Sequence, residues 1–67
     1  MTPNGAAIRA FRGVRGYSAR RLADLTERSP STITRIEGEE RGASRVTLDR
    51  IAAALDIPVE AITREKP

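Results

Sequence analysis

Ser29-Pro30-Ser31-Thr32 opens a segment that continues Ile33-Thr34-Arg35-Ile36-Glu37. On a helical wheel Ile33 and Ile36 share one side, which leaves Ser31, Thr32 and Arg35 facing outward, with Pro30 and Thr34 at the margins. The chemistry on offer is donation to planar edges and oxyanions. A guanidinium can give two bonds to guanine O6 and N7 or hold a phosphate, and the sequence leaves both uses of Arg35 open. Short hydroxyls can bond either kind of base or a phosphate, and a proline ring can pack on a thymine methyl.

Other chemistries are poorly supplied. The chain has no His and no Cys, which removes the commonest general base, the thiolate nucleophile, disulfides and the usual zinc ligands. Glu37, Glu39 and Glu40 read as a helix end and a polar loop, with too few convergent oxygens for Mg²⁺ or Ca²⁺. No catalytic residue, metal or cofactor is expected, and the chain is not expected to be an enzyme. Phe11 and Tyr17 are the only aromatics, so the base stacking used by single-strand binders is scarce and a duplex is the better fit.

Charge points the same way. The formal net charge is +3 and eleven of the twelve basic residues are Arg. Residues 1–36 hold seven Arg against Asp24 and Glu27, net +5, while residues 37–67 are net −2. A polyanion is therefore expected to meet the N-terminal half. No apolar run approaches the roughly 20 residues that span a bilayer, and the N-terminus lacks a signal-peptide layout, so a cytoplasmic protein with no membrane contact is expected.

The elements that must position these side chains are all helical. Asn4 and Gly5 start a first helix through Arg15, with Ile8, Phe11 and Val14 on one side, and Gly16 ends it as a left-handed cap. Ser18 caps a second helix carrying Leu22, Ala23 and Leu25, and Thr26 to Arg28 form a turn. Ser29 caps the third, with Pro30 at its first position, where a missing N–H costs nothing, and Gly38 ends it. Residues 39–43 read as a surface loop. A fourth helix runs from about Arg45 to Leu55 with Leu48, Ile51, Ala52 and Leu55 inward, and Asp56 ends it in the left-handed region. Pro58 opens a short fifth helix with Val59 and Ile62 inward, and Thr63 to Pro67 form a frayed tail. The expectation is one all-α domain over 1–67, a compact five-helix bundle with an ordered core of about 4–63, and no strand.

The pattern Leu22-Ala23, then Thr32-Ile33-Thr34-Arg35-Ile36-Glu37, a charged Gly-containing loop and Leu48-x-x-Ile51-Ala52-x-Ala54-Leu55 resembles the Cro/C1 (Xre) family of helix-turn-helix DNA-binding proteins. The likeness runs without gaps from about Ile8 to Ile62. It implies a lambda-repressor-like five-helix bundle whose second helix braces the third in a major groove, with Pro30, Ser31, Thr32, Thr34 and Arg35 nearest the bases. Phosphate anchoring is expected from Ser18, Arg20, Arg21, Ser29, Arg41 and Arg45. The resemblance also implies an ion pair between Arg12 and Glu37.

Departures from the family pattern lie in the turn. Glu27 stands where a Gly is usual and Arg28 where a buried aliphatic is usual, so a wider or reshaped turn is expected, with Leu25 folding over to fill the gap. Ala19 replaces a common phosphate-clamping Gln. The implied function is a sequence-specific regulator of transcription, a prokaryotic or phage repressor on a palindromic operator, working as a homodimer at least on DNA through Val59 and Ile62. The competing reading is an antitoxin-like or other interaction module, in which Asp24, Leu25 and Glu27 touch RNA polymerase or a partner protein.

Overall fold

All four α-helices open on a small polar side chain that accepts a hydrogen bond from a backbone N–H three residues on: Asn4 from Ala7, Ser18 from Arg21, Ser29 from Thr32 and Ser44 from Thr47. Each cap satisfies one of the donors that a helix start leaves without an intrahelical acceptor. The boundaries follow in a computed structural model that describes residues 2–64: α1 (Gly5–Arg15), α2 (Ala19–Thr26), α3 (Pro30–Glu37) and α4 (Arg45–Leu55). Residues 65–67 of the expected tail lie outside the described residues.

The helix ends are equally local in origin. Gly16, Glu27 and Asp56 take the left-handed conformation after α1, α2 and α4. After α3, Gly38 stays right-handed and Glu39 makes the left-handed turn, at φ 57°.

Ile8, Leu22, Ala23, Ile33, Ile36, Leu48, Ile51, Ala52, Leu55 and Ile62 form a single buried core, with one residue from α1 and four from α4. No strand occurs among the described residues; a lone antiparallel bridge joins Pro3 to Thr63. The expected short fifth helix is a 3-10 helix over Val59–Ile62, so the described residues hold four α-helices and not five. Four residues after Pro58 are too few for an α-helical repeat to propagate, and the tighter turn is enough to bring Ile62 down onto the core.

Two expectations about side chains are corrected. Val14 is 78% exposed rather than packed with Ile8, since six residues on it stands about 120° from Ile8 around the helix. Leu25 does not fold inward and is 41% exposed. Val59 and Ile62 face inward as expected, Val59 half-buried and Ile62 completely buried against the core, which leaves Ile62 no exposed surface to offer a second copy. The tail also begins later than expected: Thr63 is buried and the Arg64 N–H donates to Thr2 O at 2.9 Å.

Candidate nucleic-acid interface

The α2–α3 connection keeps a tight geometry despite its unusual residues. Thr26 is the last residue of α2, buried, with its hydroxyl donating to Leu22 O at 2.8 Å, so it belongs to the helix and not to the turn. Glu27 itself adopts the left-handed conformation, φ 59° and ψ 40°, and the Arg28 N–H closes on Ala23 O at 2.9 Å. The expected reshaping does not occur. Arg28 escapes unpaired burial by reaching α4, where Nε and Nη2 donate to Thr47 Oγ1 at 3.3 and 3.2 Å. Glu27 accepts from Arg50 Nη1 at 3.0 Å.

On α3 the hydroxyls are largely engaged at home. Ser29 Oγ accepts from the Thr32 N–H at 3.2 Å and lies 2.8 Å from Thr32 Oγ1 and 3.2 Å from Ser31 Oγ. Thr34 Oγ1 donates to Pro30 O at 3.0 Å. Thr32 is half-buried; Pro30, Ser31, Thr34 and Arg35 are exposed. Arg35 differs from all of these, since its guanidinium makes no hydrogen bond or ion pair among the described residues. It is the one long donor on the outer face of α3 that the fold does not use.

α3 is fastened to α1 from behind. Arg12 Nε donates to Glu37 Oε2 at 2.7 Å, Nη2 to Oε1 at 3.1 Å, and Nη1 to Tyr17 O at 3.0 Å. This two-point pair is largely buried, with 18% of the Arg12 side chain and 8% of the Glu37 side chain exposed. The Glu37 hydrogen bond raises the Arg12 pKa above its ordinary value, against the opposing effect of burial.

Around α3 the basic residues sort by whether the fold occupies them. Arg20 and Arg21 are exposed at the start of α2 with no side-chain partner among the described residues, beside the Ser18 cap. Arg41 makes one long bond to Gly42 O, at 3.4 Å, and Arg45 pairs with Asp49 at 3.0 Å. The hydroxyl oxygens of Ser18 and Ser29 act as caps, and each O–H remains a donor. Arg9, absent from the expected set, is also exposed and has no side-chain partner among the described residues. It lines a cleft of about 320 Å³ with Arg12, Ala19, Thr34, Glu37, Gly38 and Glu40, where α1, the start of α2 and the end of α3 meet. The signal in the sequence was its lack of an acid four residues away on either side, at Gly5 and Gly13.

Two short helices joined by a tight left-handed turn, the second exposed along one face, capped by Ser29 and anchored through Glu37, define a helix-turn-helix unit of the DNA-binding kind. Residues 5–64 match the helix-turn-helix domain family, and the chain belongs to that family, in its Cro/C1 (Xre) type. Among solved structures it is similar to the restriction-modification controller protein C.AhdI from Aeromonas hydrophila, at 32% identity and a TM-score of 0.82 over 85% of this chain and 86% of that one. It is also similar to the clp gene regulator ClgR from Corynebacterium glutamicum, at 32% identity and TM-score 0.81 over 84% of this chain. The biofilm master regulator SinR, solved in complex with DNA, matches at 30% identity and TM-score 0.79 over 84% of this chain and 90% of that one. The chain spans 60% of the length of ClgR. No curated protein gives a significant match.

Proposed function

We propose that this chain is a transcription regulator that recognises duplex DNA by sequence, acting as a repressor by occupying a palindromic operator with α3 in the major groove. The observation that carries this reading is Arg35: exposed on the outer face of a rigidly fastened helix and unused by the fold. Ser31 and the methyls of Thr32 and Thr34 supply short contacts beside it, and Pro30 an apolar one. Arg20, Arg21, Arg41 and Arg45, with the hydroxyls of Ser18 and Ser29, hold the flanking phosphates. The regulatory roles named for C.AhdI, ClgR and SinR support the same reading.

One eight-residue helix covers few base pairs, so two copies of the chain bind together, each on a half-site. The test is selection of bound fragments from a pool of random duplexes. The expected outcome is a two-fold symmetric consensus with half-sites about 10 base pairs apart. An unselective pool would sink sequence recognition, and a lone half-site would sink the palindrome. No helix among the described residues is long and apolar enough to cross a membrane, and the protein works in the cytoplasm, where operators are reached.

A single observation favours the second reading, contact with a partner protein. The exposed Leu25 lines a shallow groove with Glu27, Arg50, Ala53 and Ala54 on the surface where α2 meets α4. A pure interaction module would show no salt-dependent binding to duplex DNA.

A further inference from the structure

Glu39 joins three parts of the chain that are far apart in sequence. Its left-handed backbone closes the end of α3: the Glu39 N–H donates to Ile36 O at 3.0 Å, and the Glu40 N–H to Arg35 O at 2.9 Å. Its carboxylate accepts the Gly5 N–H at 3.0 Å, one of the donors that the start of α1 leaves open. Arg64 donates to the same oxygen, from Nε at 3.2 Å and from Nη2 at 2.7 Å.

Beneath this bridge the backbones of α1 and α3 touch. A Cβ added at Gly5 would run into the carbonyl groups of Glu37 and Ile36, so only glycine allows the approach. Arg64 is brought to the junction by pairing of the two chain ends, with the Asn4 N–H on Ile62 O at 2.8 Å and the Arg64 N–H on Thr2 O at 2.9 Å. The Arg64–Glu39 pair is about half exposed on the Arg64 side, at 48%, and such pairs add little to stability. What the arrangement can fix is direction. Glu39 is tied through its carboxylate to Gly5 and Arg64 and through its N–H to Ile36 O, and the next residue, Glu40, donates to the carbonyl of Arg35, the residue assigned to the groove.

We propose that Glu39 is a positioning residue for DNA reading, and that Arg64 acts through it, setting the angle at which α3 presents Arg35 without itself touching DNA. The proposal rests on the duplex-DNA reading above. Three variants separate the contributions. Glu39→Gly keeps the φ of 57° without strain and removes the side chain with its carboxylate. Arg64→Ala removes the donor, and Glu39→Gln keeps an acceptor for both partners.

Each variant is compared with the unsubstituted protein in two measurements, made well below its melting temperature. One is the ratio of affinities for a selected site and for random duplex, across salt; the other is the set of α3 amide resonances in the DNA-free protein. Glu39→Gly and Arg64→Ala are expected to lower the ratio about tenfold, the scale of one misread base pair, with the salt slope unchanged. Both should shift the amides of Thr34 to Glu37, and Glu39→Gln should keep most of the ratio. An unchanged ratio, or α3 amides that stay in place, would overturn the proposal. So would a uniform loss of affinity in Arg64→Ala with the salt slope smaller by about one, since Arg64 would then be a phosphate contact. Absence of any salt-dependent binding by the unsubstituted protein would instead remove the duplex-DNA reading, and the amide shifts alone would then decide whether the latch orients α3.

Discussion

Arginine does two different jobs in this chain, and partners tell them apart. Arg12, Arg15, Arg28, Arg50 and Arg64 are spent on the fold: Arg15 Nε, for example, donates to Leu55 O at 2.9 Å, where the end of α4 exposes its carbonyls. Arg9, Arg20, Arg21 and Arg35 are left without partners among the described residues. The two groups should answer differently to truncation. Arg12→Ala would strand a Glu37 carboxylate that is only 8% exposed and is expected to cost about 2 kcal/mol in urea denaturation, whereas Arg20→Ala should stay within about 0.5 kcal/mol. Equal losses would mean that the ion pair does not hold α3 to α1. The hydroxyls of α3 show why residue type alone could not rank the readers. Thr34 is outward-facing in sequence and in structure, yet its hydroxyl is returned to Pro30 O, which leaves its methyl as the outward chemistry.

At the scale of the element, caps are what made the fold readable. Asn4, Ser18 and Ser29 mark helix starts, Gly16 and Asp56 mark ends, and all five act in the structure as local chemistry dictates. The α2–α3 turn is tighter than expected because Arg28 finds a partner in Thr47 and Glu27 takes the left-handed position itself. Glu27 holds the position under strain of about 1 kcal/mol, offset in part by a surface pair with Arg50. Glu27→Gly should therefore raise the thermal midpoint by about 2–4 °C, corresponding to about 0.5 kcal/mol in a domain this small. A lower midpoint in a melt followed by circular dichroism would show that the Arg50 pair outweighs the strain. The directions of Val14 and Leu25 were less legible because periodicity names a face without saying whether anything covers it. Ile62 is inward as expected although its segment is too short to have a period, because the return of the chain sets it against α1 and α4. The same return places Glu39 beside Gly5 and Arg64, a conjunction no local pattern announces.

For the molecule as a whole, residues near the two ends of the chain and the loop after α3 form one junction whose charge state makes a small contribution to acid sensitivity. The Arg64 hydrogen bond, and after it the Gly5 N–H, hold the Glu39 carboxyl below its ordinary value of 4.5. A depressed carboxyl binds its proton less well in the folded state, so its contribution is present above the unfolded value and is lost as pH falls through the folded one. The same contact raises the Arg64 pKa, and the guanidinium stays charged throughout. Stability should decline below about pH 5, and Glu39→Gln should flatten part of that decline; parallel curves for the two proteins would place the acid sensitivity elsewhere. The wider charge pattern, net +5 over residues 1–36 and −2 beyond, gives the α1–α3 side the attraction and the remainder the balance. The central claim, that α3 reads duplex DNA through Arg35, is tested most directly by measuring affinity for a selected site and for random duplex over a range of salt, with and without Arg35→Ala. The expected result is a log–log salt slope of about −4 to −5 for the unsubstituted protein, and a loss of about tenfold to a hundredfold in Arg35→Ala confined to the selected site. Binding indifferent to salt, or a site preference that survives Arg35→Ala, would contradict it.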